Sequence, residues 1–257
     1  MRRMRGQDSG DRPSSSPMTG RGGRCAGSRS IGYRRRAQVS DIPERFVSRA
    51  GLKLAHALDA FTPGDPGADP RGRRCADFGC NVGGFTDCLL QRGAASVIAI
   101  DTGYGTIAWT LRNDPRVTVR ERTNALHAAP PPEGVDLVVV DLAWTPQRLS
   151  IPAALRWLEP RSAADGPGST TASARGGRII SLVKPHYELG AEEKGLLQDG
   201  FLAHDEARRV VHRVTEEMPA LGARVLAITE SPITGGKSSR RRGGEGNLEF
   251  LLLLAAK

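Results

Sequence analysis

Residues 75–88 read Cys-Ala-Asp-Phe-Gly-Cys-Asn-Val-Gly-Gly-Phe-Thr-Asp-Cys, and this stretch decides the fold. A short apolar run breaks at a glycine, and helical periodicity resumes after two further glycines. This order predicts a strand, a tight turn and a helix. Gly79, Gly83 and Gly84 lack side chains where the strand reverses into the helix, so backbone N–H groups at the helix N-terminus can approach a ligand. The turn is therefore predicted to bind a nucleotide-like molecule.

Three residues around the turn narrow the choice of ligand. A dinucleotide fingerprint requires glycine at position 81, where this chain has Asn81, so NAD fits the turn poorly. Asp77 stands two residues before the first glycine, and Asp101 follows the next apolar run at 97–100. Carboxylates in these two places suit a ligand with an amino-acid end and a ribose. We therefore predict S-adenosylmethionine as the cofactor.

Strands and helices alternate on both sides of this turn. Apolar runs predict strands at 75–79, 96–101, 117–121, 135–140 and 179–183, and later at 223–229 and 248–254. Helical periodicity falls between them, at 84–92, 105–113, 148–158 and 203–221. Such alternation predicts an α/β fold: a Rossmann-like, mostly parallel sheet of seven strands, with helices on both faces and an antiparallel last strand.

Length and composition point to one domain preceded by a tail. The chain has 257 residues, of which 39% are apolar, enough for one substantial core. The longest apolar run, 250–256, is far shorter than the roughly 20 residues of a membrane helix, so no membrane partner is expected. Four cysteines match neither a zinc ribbon nor a disulfide framework, and a reducing cytoplasm is the simplest location. The oligomeric state is not predictable.

Nearly all of the net charge of +9 belongs to the first 37 residues, which hold ten Arg and two Asp. Residues 1–42 contain few large apolar side chains, so we expect a disordered basic tail before a domain at 43–257. The tail is a candidate arm for RNA phosphates. A solvated extension, sequence upstream of a start at Met4 or Met18, and a transit peptide are the alternatives.

Three further segments surround the predicted strands. A helix is expected to begin after Ser48, a plausible N-cap, with Lys53 in its first turn. Residues 62–74 are loop by composition, and 160–176 is a flexible insertion. The loop 231–247, with Lys237 and Arg240 to Arg242, is a basic flap before the last strand.

Polar residues follow the predicted strands where one site would converge. Ligands of open α/β sheets bind beyond the carboxyl ends of the strands. Asp101 there suits ribose hydroxyls, and Asn124, after Thr123, suits an adenine edge or a simple turn. Asp141 and Lys184 each follow apolar strands and would be costly to hold unpaired, so they are expected to pair with each other. Taken alone, Lys53 and Glu249 would more often be solvated charges.

Other reactive side chains have simpler interpretations. Cys80 and Cys88 lack a neighbouring base and are expected to pack as small apolar residues. The five histidines show no metal-ligand spacing, so no metal is expected, and His186 is at most a substrate contact. Trp109, Trp144 and Trp157 are expected in the core, with base stacking as the alternative for Trp144.

Several motifs together resemble the FtsJ-like family of ribose 2′-O-methyltransferases, and within it the methyltransferase domain of TlyA-type proteins. They cover about residues 43–256. The matching segments are Arg45-Phe-Val-Ser-Arg-Ala-Gly-Leu-Lys-Leu54, Asp77-Phe-Gly-Cys-Asn-Val-Gly-Gly-Phe-Thr-Asp-Cys-Leu-Leu90, Asp101-Thr-Gly-Tyr-Gly105, Glu121-Arg-Thr-Asn124, Val139-Val-Asp141, Leu182-Val-Lys-Pro185 and Gly246-Asn-Leu-Glu-Phe250.

The resemblance implies roles for specific residues. The family's Lys-Asp-Lys-Glu tetrad falls on Lys53, Asp141, Lys184 and Glu249, which we predict to be catalytic. Lys184 would orient or deprotonate the hydroxyl, Asp141 would orient Lys184, Lys53 would be a second cation, and Glu249 would hold Lys53 or the ribose. The predicted cofactor-binding residues are Asp77, Gly79, Asn81, Gly83, Gly84, Phe85, Asp101, Thr123, Asn124 and Asp141.

The implied activity is S-adenosylmethionine-dependent 2′-O-methylation of RNA, with rRNA or ribosomal subunits as the expected partner. TlyA-type proteins carry an N-terminal RNA-binding domain where this chain has the Arg-rich tail, so the resemblance does not fix the nucleotide. Cys80-Asn81-Val82 replaces the family's usual Ala-Ser-Thr. The alternatives are an RNA-binding or ribosome-assembly factor with vestigial activity, and a methyltransferase acting on a non-RNA substrate.

Overall fold

The computed structural model describes residues 45–158, 176–235 and 246–257. The predictions for the tail and for most of the 160–176 insertion, and those for Lys237 and Arg240 to Arg242, lie outside these ranges. The described helices and strands are, in chain order, α1 (Ala50–Phe61), β1 (Arg74–Phe78), α2 (Gly84–Gln91), β2 (Ser96–Ile100), α3 (Trp109–Arg112), β3 (Val117–Arg120), β4 (Leu137–Val140), α4 (Gln147–Leu155), β5 (Arg178–Val183), β6 (Leu197–Gln198), β7 (Phe201–Leu202), α5 (His204–Glu217), β8 (Ala223–Glu230) and β9 (Phe250–Ala256).

Seven of these strands form one sheet in the order β3-β2-β1-β4-β5-β9-β8. The five from β3 to β5 are parallel, whereas β9 runs antiparallel to both β5 and β8. The order reverses between β1 and β4, which places a crevice beyond their carboxyl ends. The predicted fold class is confirmed.

The sheet is buried on both faces, which explains its continuous apolar strands. Leu137 and Val139 of β4 pack toward α1 and α2, while Val138 and Val140 pack toward α4 and α5. Trp157 lies in the second layer, edge-on to Phe78 at a centroid distance of 5.2 Å. Its predicted place in the core is confirmed.

The start of α1 differs from the sequence prediction. Arg49 is the N-cap residue, and it makes no side-chain capping bond. A Cβ atom built on Gly84 would lie 2.2 Å from Ser48 Oγ, so the serine hydroxyl packs against the glycine turn. The prediction of Ser48 as the N-cap was wrong, because tertiary packing directs this side chain toward α2.

The predicted helix at 105–113 was also too long. Only Trp109–Arg112 is helical, and the preceding loop turns at Gly105, whose φ is +70°. The single turn buries Leu111 and leaves Trp109 75% exposed. The prediction that Trp109 packs in the core was therefore wrong.

The hairpin of β6 and β7 was not predicted. Each strand has two residues, too few for a periodic pattern to be visible. Asp199 and Gly200 both have positive φ at its tip, and an Asp-Gly pair is the one signal that could have identified the turn. Among the described residues, no helix is both long and apolar enough to cross a membrane.

Candidate active site

Gly79 brings the turn after β1 against the end of β4. Its φ is +89°, and a Cβ atom built on it would lie 2.5 Å from the main-chain oxygen of Asp141. Any other residue would be strained in its backbone and would collide with that oxygen. Asn81, two residues on, has φ +48°, a conformation that asparagine tolerates better than most residues.

Gly83 and Gly84 make room for neighbouring elements rather than for the cleft. A Cβ atom on Gly83 would lie 2.3 Å from the Leu111 side chain, and one on Gly84 would meet Ser48. These two glycines let α1 and α3 pack tightly at the start of α2. Their contact with a cofactor stays a prediction.

A cleft of about 450 Å³ opens at the carboxyl ends of the strands, within the usual size range of ligand sites. Fifteen of its lining residues come from the segments that follow β1, β2, β3, β4 and β5. It brings together seven predicted cofactor-binding residues: Gly79, Asn81, Phe85, Asp101, Thr123, Asn124 and Asp141. Lys184 lines it too, as do Ser48 and Ala50, whereas Asp77, Gly83 and Gly84 do not.

Asp101 is fixed by backbone donors on both sides. Its Oδ2 accepts the Asn81 N–H at 2.8 Å, and its Oδ1 accepts the Gly103 N–H at 2.7 Å. A carboxylate has about four acceptor positions, so each oxygen retains capacity for a further donor. The geometry is compatible with acceptance from two ribose hydroxyls.

Thr123 and Asn124 close the adjoining wall of the cleft. The Thr123 N–H donates to the Asp101 main-chain oxygen at 3.0 Å. Asn124 Oδ1 accepts the Leu126 N–H at 2.9 Å, which leaves the amide NH₂ as the group directed to other partners. An adenine edge offers suitable acceptors, and this contact stays a prediction.

Asp77 lies behind the turn and is fully buried. Its Oδ2 accepts the Thr86 hydroxyl at 2.7 Å, and its Oδ1 has no hydrogen-bond partner among the described residues. Burial is the main cause that raises its pKa, to about 7, and nearby Asp141 adds to the effect. Asp77 therefore supports the turn from within, and its contact with the cofactor stays a prediction.

Asp141 and Lys184 form an ion pair at the cleft wall. Lys184 Nζ donates to Asp141 Oδ1 at 2.5 Å and to the Leu142 main-chain oxygen at 3.4 Å. An ammonium group has three donors, so one remains after the two bonds that the described residues make. The pairing expected from the two buried strand ends is present.

Lys53 and Glu249 form a second ion pair, and both side chains are buried. Val183 pairs with Phe250 in the β5–β9 register, and one further residue places Lys184 opposite Glu249. Neither Lys53 nor Glu249 lines the cleft. Their burial argues against the solvated-charge interpretation.

His186 connects the two pairs electrostatically. Burial, with the charges of Lys184 and Lys53, lowers its pKa to about 4, so the imidazole is neutral at physiological pH. Both ammonium groups therefore act on one ring. The four predicted catalytic residues are brought to one region as two ion pairs, because Lys184 lies opposite Glu249 in the sheet register.

Two aromatic residues lie at the mouth of the cleft. Trp144 is 71% exposed and has φ +54°, and its ring centroid is 6.1 Å from that of Tyr187. The prediction that Trp144 packs in the core was wrong, because its loop projects the indole outward. Its alternative role, base stacking, stays a prediction.

The described cysteines supply no reactive group to this site, although Cys80 lines the cleft. Cys75, Cys80 and Cys88 are buried free thiols, and burial raises the pKa of each above its usual range. The expected apolar packing of Cys80 and Cys88 is confirmed. Within the described ranges, no group of His, Cys, Asp and Glu is arranged to hold a metal ion.

Some residues of the site were not predicted to belong to it. Ser48 and Ala50 line the cleft, whereas the sequence indicated only that they lie in the 45–54 segment that resembles the family. Gln147 and Glu188, which fix the loops after β4 and β5, lie beyond the motifs. Only tertiary packing identifies them.

The family comparison agrees with this geometry. The model of the FtsJ-like methyltransferases matches residues 46–241, most of the chain. The chain belongs to the FtsJ-like methyltransferase family. It is therefore a methyltransferase that uses S-adenosylmethionine.

Individual relatives cover most of the same region. The 16S/23S rRNA (cytidine-2′-O)-methyltransferase TlyA of Mycobacterium tuberculosis is 39% identical over 84% of this chain and 70% of its own length. The 23S rRNA (cytidine-2′-O)-methyltransferase TlyA of Campylobacter jejuni is 26% identical over 81% and 70%. A solved structure from Streptococcus thermophilus, which carries a hemolysin name, is 31% identical with a TM-score of 0.69, over 84% and 69% of the two chains.

The residues of the cleft fit S-adenosylmethionine. Gly79 lets the turn approach the Asp141 main-chain oxygen at the cleft wall, where a Cβ atom would collide with it, and Asp101 has acceptor capacity for a ribose. Asn124, which follows β3, offers an amide donor to the cleft. These are the groups that would hold the cofactor.

Proposed function

We propose that this FtsJ-like methyltransferase methylates a ribose 2′-hydroxyl of rRNA. The observation that carries the proposal is the Lys184–Asp141 ion pair, 2.5 Å long, on the wall of the cofactor cleft. The names of the M. tuberculosis and C. jejuni relatives support this choice of acceptor. Because those names differ in the rRNA they specify, the nucleotide is left for experiment.

The chemistry required of the protein is modest. S-adenosylmethionine supplies an electrophilic methyl group when bound. The protein must place the hydroxyl oxygen in line with that carbon and manage the hydroxyl proton. In its ion pair, Lys184 is an ammonium group whose remaining N–H can donate to the hydroxyl oxygen and orient it.

Asp141 has two effects on this arrangement. It fixes the Lys184 side chain, and its negative charge stabilises positive charge that develops as the hydroxyl oxygen forms its new bond. The hydroxyl oxygen loses its proton as the new bond forms. The proton goes either to water or to a lysine amine that is already in its neutral form. Lys53, held by Glu249, adds a second positive charge that also acts on His186.

The exposed surface near the cleft suits a nucleic acid. Trp144 and Tyr187 present aromatic rings at its mouth, and Arg122 stacks on Tyr104 at 4.3 Å from the ring centroid. Aromatic and guanidinium planes are the groups on which unpaired bases stack. This surface therefore supports RNA as the substrate.

Mass spectrometry of rRNA nucleosides tests the proposal. Cells with the wild-type protein should contain a 2′-O-methylated nucleoside that is missing from cells without it. Lys184→Ala should lower methylation at least about 100-fold while cofactor affinity changes little. Arg208→Ala, on the outer face of α5, is the control and should methylate normally. Full methylation by Lys184→Ala would remove the proposed role of this lysine, and an unchanged nucleoside profile would favour a non-RNA substrate or a binding role.

A further inference from the structure

The loops that follow β4 and β5 are joined to each other at three successive levels. Asp141 pairs with Lys184 where the two loops begin. Trp144 and Tyr187 are in ring contact at the middle. At the far end, the Gln147 main-chain N–H donates to both carboxylate oxygens of Glu188, at 3.0 and 3.1 Å.

The bond between the Gln147 N–H and the Glu188 carboxylate replaces a missing helix cap. Pro146 is the N-cap residue of α4 and makes no side-chain capping bond. Glu188, from the neighbouring loop, accepts the first helical N–H instead. A negative charge at this position also interacts favourably with the helix dipole.

Gln147 is itself held rigidly on the sheet. Its side chain is buried, donates to the Leu182 main-chain oxygen at 3.2 Å and accepts the Ser181 hydroxyl at 2.7 Å. The Glu188 carboxylate is thus tied to β5 through α4. Arg213 of α5 fixes the Glu188 main-chain oxygen at 3.0 Å.

We propose that Glu188 is a positioning residue: its carboxylate clasps the loop after β4 to the loop after β5 and so fixes the geometry of the Asp141–Lys184 pair. This inference rests on the proposed function for the importance of that pair. Glu188 contacts neither Asp141 nor Lys184 in the described hydrogen bonds, so its effect passes through the two loops. Loss of the clasp lets both loops pivot about the ion pair.

The charge of Glu188 depends on several surrounding groups. Burial is the main cause that raises its pKa, to about 7, with Glu217 of α5 acting in the same direction. The Gln147 N–H, Arg213 of α5 and Arg148 of α4 act in the opposite direction. The clasp is therefore strongest above about pH 7 and weakens as the carboxyl is protonated.

The test is Glu188→Gln, measured as kcat and KM for RNA and cofactor from pH 6 to pH 9. At pH 8 we expect kcat about tenfold below wild type, with KM for the cofactor nearly unchanged, since small misplacements of a reacting group are costly. At pH 6, where the wild-type carboxyl is protonated, the two enzymes should be similar. Glu216→Gln, on the solvent side of α5, should keep the wild-type profile.

A second variant keeps the Glu188 carboxylate and its bond to Gln147, so this test does not depend on the folding of Glu188→Gln. Glu217→Gln removes a charge that raises the Glu188 pKa, so the acid limb of the kcat profile should move to lower pH. A Glu188→Gln profile that matches wild type in kcat at pH 8 and in its acid limb would overturn the inference. A Glu217→Gln limb that stays in place or moves to higher pH would do the same.

Tryptophan fluorescence separates this inference from the proposed function. Trp144 lies between the Asp141–Lys184 pair and the clasp, so wild-type emission should change near pH 7 and that change should be missing in Glu188→Gln. If the protein methylates no rRNA but this transition is present, the proposed function fails and the clasp stands. If rRNA is methylated but neither the fluorescence transition nor the acid limb depends on Glu188, only the proposed role of Glu188 is overturned.

Discussion

Gly79 and Gly105 both have a left-handed backbone, with φ +89° and +70°, but their surroundings differ. A Cβ atom on Gly79 would meet the Asp141 main-chain oxygen at 2.5 Å, and one on Gly105 would meet nothing within 4 Å. Gly105→Ala should therefore cost only the backbone strain, about 1 kcal/mol. Gly79→Ala should cost at least about 3 kcal/mol and abolish cofactor binding.

Urea unfolding and calorimetric titration with S-adenosylmethionine check this pair. Equal losses of stability in the two variants would mean that backbone strain alone explains the glycine at position 79. The close approach of the turn after β1 to the end of β4 would then contribute nothing. Cofactor binding by Gly79→Ala with wild-type affinity would contradict the placement of the turn.

The buried carboxyl group of Asp77 predicts how the stability of the protein changes with pH. Its pKa is about 7 in the folded protein, well above its ordinary value of 3.8, so the folded state binds the proton more tightly than the unfolded chain does. The stability this group contributes is complete below about pH 4 and is lost as pH rises to 7. Asp77→Asn cannot ionise. Relative to wild type, it should gain about 3 kcal/mol between pH 5 and pH 8.

Urea unfolding at the two pH values measures this difference. Asp205→Asn, at a side chain that is 96% exposed, is the control and should show no such gain. A stability difference between Asp77→Asn and wild type that does not change with pH would show that burial does not perturb this carboxyl group.

At the scale of elements, α4 is fastened to β5 through one buried side chain. Gln147→Leu leaves the Ser181 hydroxyl and the Leu182 main-chain oxygen without their described partner, so it should destabilise the protein by about 2–4 kcal/mol. Ser181→Ala alone should cost about 1 kcal/mol. The double variant should lose less than the sum, by about 1 kcal/mol, because the orphaned hydroxyl is gone.

Chemical denaturation of the four proteins in this cycle gives the coupling energy. Strict additivity would mean that the bond between the two side chains contributes nothing. Leu149→Ala, at an exposed position of the same helix, should change stability little and controls for effects on helix propensity.

At the scale of the whole molecule, positive charge is concentrated at the start of the chain. Residues 1–37 hold ten of the 37 basic residues and only two acidic ones, so most of the net charge of +9 is there. If this segment neutralises RNA phosphates, Arg34→Gln, Arg35→Gln and Arg36→Gln together should reduce the slope of log affinity against log salt by about 2. Cofactor affinity should not change.

Filter binding at several salt concentrations measures the slope. Arg208→Gln with Arg209→Gln, two substitutions on the outer face of α5, is the control and should alter it less. An unchanged slope in the triple variant would favour the alternative, a solvated extension without a role in binding.

The sequence alone determined the sheet and the position of its ligand edge. Short apolar runs alternate with helical periodicity, and β1, β2, β4 and β5 lie within about two residues of their predicted bounds. Asp141 and Lys184 were found because a charge directly after a buried strand needs a partner, and Asp101 because its place after the second strand suits ribose hydroxyls. These signals are local, so they can be read from neighbouring residues.

Tertiary structure alone decided that Lys53 and Glu249 are buried together and what holds the loops around the Asp141–Lys184 pair. Lys53 meets Glu249 across 196 positions, and Glu188 meets Gln147 across 41. The exposure of Trp109 and Trp144 and the direction of Ser48 were likewise set by packing. The physical reason is that a hydrogen bond between distant residues depends on the crossing of whole elements, which no spacing along the chain records.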